Sequence, residues 1–84
     1  MEGVAVDAAT GEYLEDVKVV ITSSVDNFEE MTDVQGLYRQ QIHPDLDYNI
    51  KFILPEYEVQ EFEKVKLPKG KHLRINVKLK KSDA

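Results

Sequence analysis

Apolar and polar residues alternate along much of this chain with a period of two. The clearest run sets Tyr48, Ile50, Phe52 and Leu54 against Asn49, Lys51 and Ile53. Residues two apart share one face of a strand, so this run predicts a half-buried β-strand. Leu73, Ile75, Val77 and Leu79 alternate with Arg74, Asn76, Lys78 and Lys80 and predict another, with a basic outer face. Val17, Val19 and Ile21 share a face opposite Lys18 and Thr22, which leaves Val20 apolar on the outside and in need of cover. Residues 3–7 read as a short opening strand with Val4 and Val6 on one face.

Between these runs the pattern is less regular. Residues 28–32 read either as a strand or as one helical turn, because Asp26 and Glu29 have capping-box spacing with Phe28 and Met31 behind them. The strand is favoured because a turn signal follows at once. In Thr32-Asp33-Val34-Gln35-Gly36-Leu37-Tyr38, the Asp33 carboxylate can accept backbone N–H groups two residues on. Gly36 stands where a type I turn with a bulge needs positive φ, so the segment predicts a hairpin. Tyr38 then points into the core. A strand over residues 37–42 turns Tyr38 and Ile42 inward and carries Gln40 with them. Gln40 then either bonds exposed backbone at the core's edge or is rotated out by a bulge. Over residues 58–67, Tyr57, Phe62 and Val65 loosely fit a helical face, with Leu54 before them. Val65 and Leu67 alternate as a strand does, with Phe62 out of phase, and a bulge near Glu63 and Lys64 would reconcile the three. Leu14 reads as a core plug, and residues 81–84 as a frayed tail. The sum is about seven short strands with turns every 8–12 residues, which predicts an antiparallel sandwich or barrel.

Composition narrows this picture. The 84 residues, 42% of them hydrophobic, suit one small domain over 1–84 near the lower limit of a self-sufficient core. There is no cysteine, so packing alone must hold it. No apolar run approaches the roughly 20 residues of a membrane helix, and membrane insertion by this segment is not expected. No signal peptide precedes the first strand, which starts almost at once, so the chain is expected to belong to a longer protein. The net charge of −5 is unevenly placed: residues 1–50 hold eleven acids and two bases, and residues 51–84 hold nine bases and five acids. Solubility and cross-strand pairing account for this, and a dipolar surface guiding docking is the sharper reading. Overall acidity without an aromatic-rich basic stripe argues against nucleic acid.

Candidate chemistry is sparse. The two histidines, His43 and His72, have no partner evident in sequence, and a general base needs one within hydrogen-bond reach. Asp26, Asn27, Glu29 and Glu30, or Asp45 and Asp47, offer oxygen ligands for Ca²⁺ but lack EF-hand spacing, and they read as turn formers and solubilisers. Tyr13 and Tyr57 lie beside loops and are the aromatic candidates for glycan or peptide binding, with packing as the simpler role. No catalytic, cofactor-binding or metal residue is assigned, and no cofactor is expected.

Several short motifs together resemble the carboxypeptidase regulatory-like domain of the transthyretin-like, prealbumin-like group. They are Gly3-x-Val-x-Asp7, Thr10-Gly11-Glu12-x-Leu14-x-x-Val17-x-Val19 and Thr32-Asp33-x-x-Gly36-x-Tyr38. Tyr48-x-Ile50-x-Phe52, Tyr57-Glu58 and Val77-x-Leu79 follow in order. Two departures stand out: Asp47 and Glu56 occupy positions where the family often has glycine before a tyrosine. The resemblance implies an all-β, seven-stranded antiparallel Greek-key β-sandwich. It also implies a non-catalytic accessory module, a spacer or docking domain, in a secreted, periplasmic or cell-envelope protein. Its partners would be neighbouring domains, with another protein or a glycan as the alternative. Transthyretin-like hydrolases share the fold but end in a Tyr-Arg-Gly-Ser motif, whereas here Tyr38-Arg39 is mid-chain. Related adhesin domains make internal Lys–Asn crosslinks, but the first strand has no lysine and Asn76 no evident partner. If every strand reverses direction, the seventh runs with the first. Gly3 and Lys80 should then lie about 20–25 Å apart, at opposite ends.

Overall fold

The computed structural model describes residues 1–82. Among these the regular elements are all strands: β1 (Glu2–Asp7), β2 (Lys18–Thr22), β3 (Asn27–Met31), β4 (Leu37–Arg39), β5 (Asp47–Ile53), β6 (Gln60–Lys66) and β7 (Val77–Leu79). They form a three-stranded sheet in the order β4-β1-β7 and a four-stranded sheet in the order β3-β2-β5-β6. No helix is long and apolar enough to cross a membrane.

The two sheets bury one common core, giving a β-sandwich-like arrangement. Val19 and Ile21 of β2, and Tyr48, Ile50 and Phe52 of β5, are fully buried, as the alternation predicts. Ala5, Tyr38, Val77 and Leu79 face them from the smaller sheet. The Tyr38 and Phe52 rings meet edge to face at 5.4 Å across the gap. Each large side chain buried here contributes about 1.5–3 kcal/mol, which is how a chain without disulfides stays folded.

Four elements depart from expectation. First, pairing is not antiparallel throughout, because β1 and β7 are adjacent and parallel. The six reversals between them return the chain to its first direction. Second, Val4 and Val6 of β1 share the outer face, where both are half-buried, while Gly3, Ala5 and Asp7 point inward. Small residues are required inside: a Cβ on Gly3 would overlap the carbonyl oxygen of Ile75. Third, the turn at Asp33–Gly36 does not close a hairpin. β3 pairs with β2 and β4 with β1, so the turn carries the chain from one sheet to the other. Its local chemistry is nonetheless as read. Gly36 has φ 71°, and the Asp33 carboxylate accepts the Gln35 and Leu37 N–H groups at 2.9 and 3.0 Å. Fourth, Lys81 and Ser82 are not frayed. Lys81 bridges to Tyr57, and Ser82 donates through N–H and hydroxyl to the Glu56 carbonyl. The remainder of the expected tail, Asp83 and Ala84, lies outside the described residues.

Other local expectations hold in part, with β4 and β7 shorter than the runs that predict them. β6 is a strand, and two steps on β5 from Tyr48 to Ile50 match three on β6 from Val65 to Phe62. The extra residue falls at Glu63 and Lys64, with Lys64 at φ 54°. β4 stops at Arg39, yet Tyr38 and Ile42 are both buried. Gln40 sits half-buried at the core's edge and donates to the Gln41 carbonyl at 3.0 Å. The last run is interrupted at Asn76, whose side-chain oxygen accepts the Val4 N–H at 3.1 Å and so replaces a backbone acceptor. Asn76 therefore does have a partner, on the first strand.

Because Glu2 aligns with Arg74 and Asp7 with Leu79, β1 starts at one end of the small sheet and β7 finishes at the other. Five residue steps put these ends about 17 Å apart along the strands. That is shorter than the expected span because the strands are shorter.

Candidate functional site

Two local arrangements stand out from the rest of the surface. The first joins the end of β1 to the turn after β5. The Asp7 carboxylate accepts Ala9 N–H at 2.7 Å, Thr10 N–H at 3.0 Å and the Tyr57 hydroxyl at 2.5 Å. The Tyr57 hydroxyl, then the two backbone donors, hold the Asp7 carboxyl below its ordinary value. The same bond to Asp7 pushes the Tyr57 phenol up. Glu56, where the resemblance has glycine, has φ 74°. The chain thus adopts at that turn the backbone a glycine would favour and accepts the strain. These groups satisfy one another, and the arrangement latches the two sheets together.

The second is the seam where β3, an edge of the large sheet, faces β4, an edge of the small one. A groove of about 450 Å³ lies there, lined by Glu30, Met31, Asp33, Leu37 and Tyr38. Glu2 and Arg39, opposite each other on β1 and β4, also line it and form an ion pair at 3.7 Å. Met31 and Leu37 leave apolar surface exposed, and Val34 in the turn beside them is 71% exposed. A second groove of about 550 Å³ lies beyond the same ion pair, beside Gln41, Ile42, Leu67, Lys71 and His72.

The residues considered from sequence are scattered over the fold. His43 is exposed, and its backbone N–H donates to the Tyr48 hydroxyl at 3.1 Å. His72 is exposed on the wall of the second groove. Asp26 receives the Tyr48 hydroxyl at 3.4 Å, Glu29 pairs with Lys18 at 3.5 Å, and Asp47 pairs with Lys66 at 3.8 Å. Among the described residues no three His, Asp or Glu side chains converge on one point. Tyr13 is 62% exposed and opposite Val6 on the outer face of the small sheet, whereas Tyr57 is engaged by Asp7.

Thr32 opens the turn motif, but the sequence assigns it no role of its own. It is 2% exposed, accepts the Val17 N–H at 2.9 Å and donates to the Leu14 carbonyl at 2.6 Å. Its place just before Asp33, at the end of a strand, was the available signal. The groove was missed for a different reason: it is made by two sheet edges that the turn separates.

No family model and no curated protein matches the chain. Among solved structures, the Bacillus anthracis TIE protein contains a similar domain, with a TM-score of 0.65 and 21% identity. The similarity covers 95% of this chain and 16% of that one, so the chain spans a small part of its neighbour's length. At this identity the likeness is one of fold.

Proposed function

We propose that this chain is a carboxypeptidase regulatory-like module, a seven-stranded, transthyretin-like Greek-key β-sandwich. In this reading it is a non-catalytic domain of a secreted or cell-envelope multidomain protein, and its partners are the domains beside it. Its task is to hold those neighbours apart, with the chain entering at one end and leaving at the other. The observation that carries the reading is the parallel pairing of β1 with β7, which puts entry and exit at opposite ends. The fold likeness to a minor part of a much longer protein supports a modular role. The family motif residues also have structural duties that fit it. Asp7 and Tyr57 tie the sheets, Gly3 permits close backbone approach, and Asp33 with Gly36 shapes the crossing turn.

The test is solution scattering from two copies joined in series by a short linker. The spacer predicts a longest dimension near twice the 38 Å of one domain. A pair folded side by side, little longer than a single copy, overturns it. A second reading, glycan or peptide binding through the loops, is favoured by one observation only, the exposed ring of Tyr13.

A further inference from the structure

The two sheets present four edges, and three of them are closed to further pairing by identifiable devices. The β4 edge is capped by its own turn, where Asp33 donates its N–H to the Leu37 carbonyl and accepts the Leu37 N–H on its carboxylate. The β6 edge is broken by the bulge at Lys64. The β7 edge is three residues long, with Lys78 at its centre and Lys80 just after it. Bulges, short strands and lysines are the usual guards of a sheet edge.

The β3 edge has none of these. Its five residues pair with β2 in unbroken register, from Lys18 opposite Met31 to Thr22 opposite Asn27. The flanking bonds, Thr32 N–H to Val17 and Ser23 N–H to Asp26, fix which residues bond inward. In an antiparallel pair the bonded and non-bonded positions alternate. Val19 and Ile21 therefore exchange bonds with Glu30 and Phe28, and the backbone groups of Asn27, Glu29 and Met31 point away from the sheet. What guards this edge is charge alone, Glu29 and Glu30, with Asp33 just beyond.

We propose that the β3 edge receives an extended, basic segment of another protein as an added antiparallel strand. Asn27, Glu29 and Met31 supply the backbone donors and acceptors. Side chains on one face of the guest enter the seam groove, where Met31 and Leu37 offer apolar surface and Glu30 and Asp33 negative charge. Among the described residues the one cation lining that groove, Arg39, is already paired with Glu2. A segment alternating lysine or arginine with apolar residues matches both features. A second copy of this chain fits poorly, because full overlap of two β3 strands sets Glu29 against Glu29, and like charges directly opposite repel. The inference is independent of the in-line spacer, since either can fail alone.

The probe is a short, end-blocked peptide of alternating lysine and valine, with a glutamate–valine peptide as control. Binding is followed by amide hydrogen exchange and by titration at low and high salt. The lysine peptide should slow exchange at the Asn27, Glu29 and Met31 amides, and added salt should weaken it. Glu29→Pro removes one outward N–H without touching a bond to β2, a substitution edge strands tolerate. It should weaken binding at least about tenfold with the circular dichroism spectrum unchanged. Should that variant not fold, E29K combined with E30K keeps the backbone intact and should reverse the preference toward the glutamate peptide. No binding at millimolar peptide overturns the proposal. So does protection mapped elsewhere, equal binding of both peptides, or an unaffected folded Glu29→Pro variant.

Discussion

The hydroxyl of Tyr57 and the carboxylate of Asp7 are each shifted by the other, and the two shifts limit stability at opposite ends of the pH scale. Asp7 titrates below its ordinary 3.8 in the folded chain, first because of the Tyr57 hydroxyl and then the Ala9 and Thr10 amides. A carboxyl with a depressed folded value contributes stability that is present above its ordinary value and lost as pH falls through the folded one. Tyr57 is raised above 10.0 by the bond to Asp7, so its contribution is whole below that pH and lost as pH rises through the folded value. Tyr57→Phe removes the shared bond and leaves the two backbone donors on Asp7. The Asp7 carboxyl should then titrate closer to its ordinary value, and the melting temperature should fall less steeply on the acid side than in the parent chain. Carboxyl chemical shifts followed between about pH 2 and 6 measure the first, and melting temperature against pH the second. An unchanged Asp7 titration would show that the amides alone set it. None of this pairing was legible beforehand. Asp7 and Tyr57 are fifty residues apart, and neither carries a local signal of the other.

At the scale of elements, the turn between β3 and β4 decides whether the chain can cross from one sheet to the other. Gly36 holds φ 71°, and a Cβ there would overlap the carbonyl oxygen of Ala5, whose own N–H bonds the Gly36 carbonyl at 2.9 Å. Gly36→Val therefore combines backbone strain with a clash against backbone that cannot move without breaking the β1–β4 ladder. A loss of about 2–5 kcal/mol is expected, read from the urea midpoint. Little or no loss would mean the turn can relax without Gly36. The same turn shows how far local sequence reaches. Asp33 and Gly36 announced its bonding pattern, because those bonds span only a few residues. Whether it closes a hairpin depends on β1 and β2 outcompeting β3 and β4 for each other, and nothing within the turn encodes that. The β6 bulge was legible because the phase slip of Phe62 against Val65 and Leu67 is itself local. The inward face of β1 was not. Its core side is built from Gly3 and Ala5, chosen for close backbone approach, and hydrophobic alternation points to the valines instead.

Taken whole, the molecule keeps most of its ion pairs within the parts its sequence separates. The acidic first part and basic last part meet at Asp47 with Lys66, while Glu2 with Arg39 and Lys18 with Glu29 pair within the first part and Lys51 with Glu61 within the second. Such exposed pairs contribute only about 0–1 kcal/mol each, so their main effect is on the surface, not the core. The direction of load is set by topology instead. β1 and β7 are parallel neighbours, and force applied at Gly3 and Lys80 runs along both strands in opposite senses. The bonds that join them lie across that direction: Glu2 N–H to Leu73, Ile75 N–H to Glu2, Val4 N–H to the Asn76 side chain, and Ala8 N–H to Leu79. Loaded in shear, they must fail together. Pulling apart Lys18 and Met31 instead loads the β2–β3 ladder from its open end, and its bonds can break one after another. Single-molecule stretching should therefore find a higher unfolding force between Gly3 and Lys80 than an opening force between Lys18 and Met31. Attachment through introduced cysteines is clean because the chain has none of its own. Asn76→Ala, which leaves the Val4 N–H without its acceptor, should lower the first force and spare the second. Equal forces for the two geometries, or no effect of Asn76→Ala, would mean the β1–β7 ladder is not what bears the load, and would remove the mechanical case for a spacer carried in line.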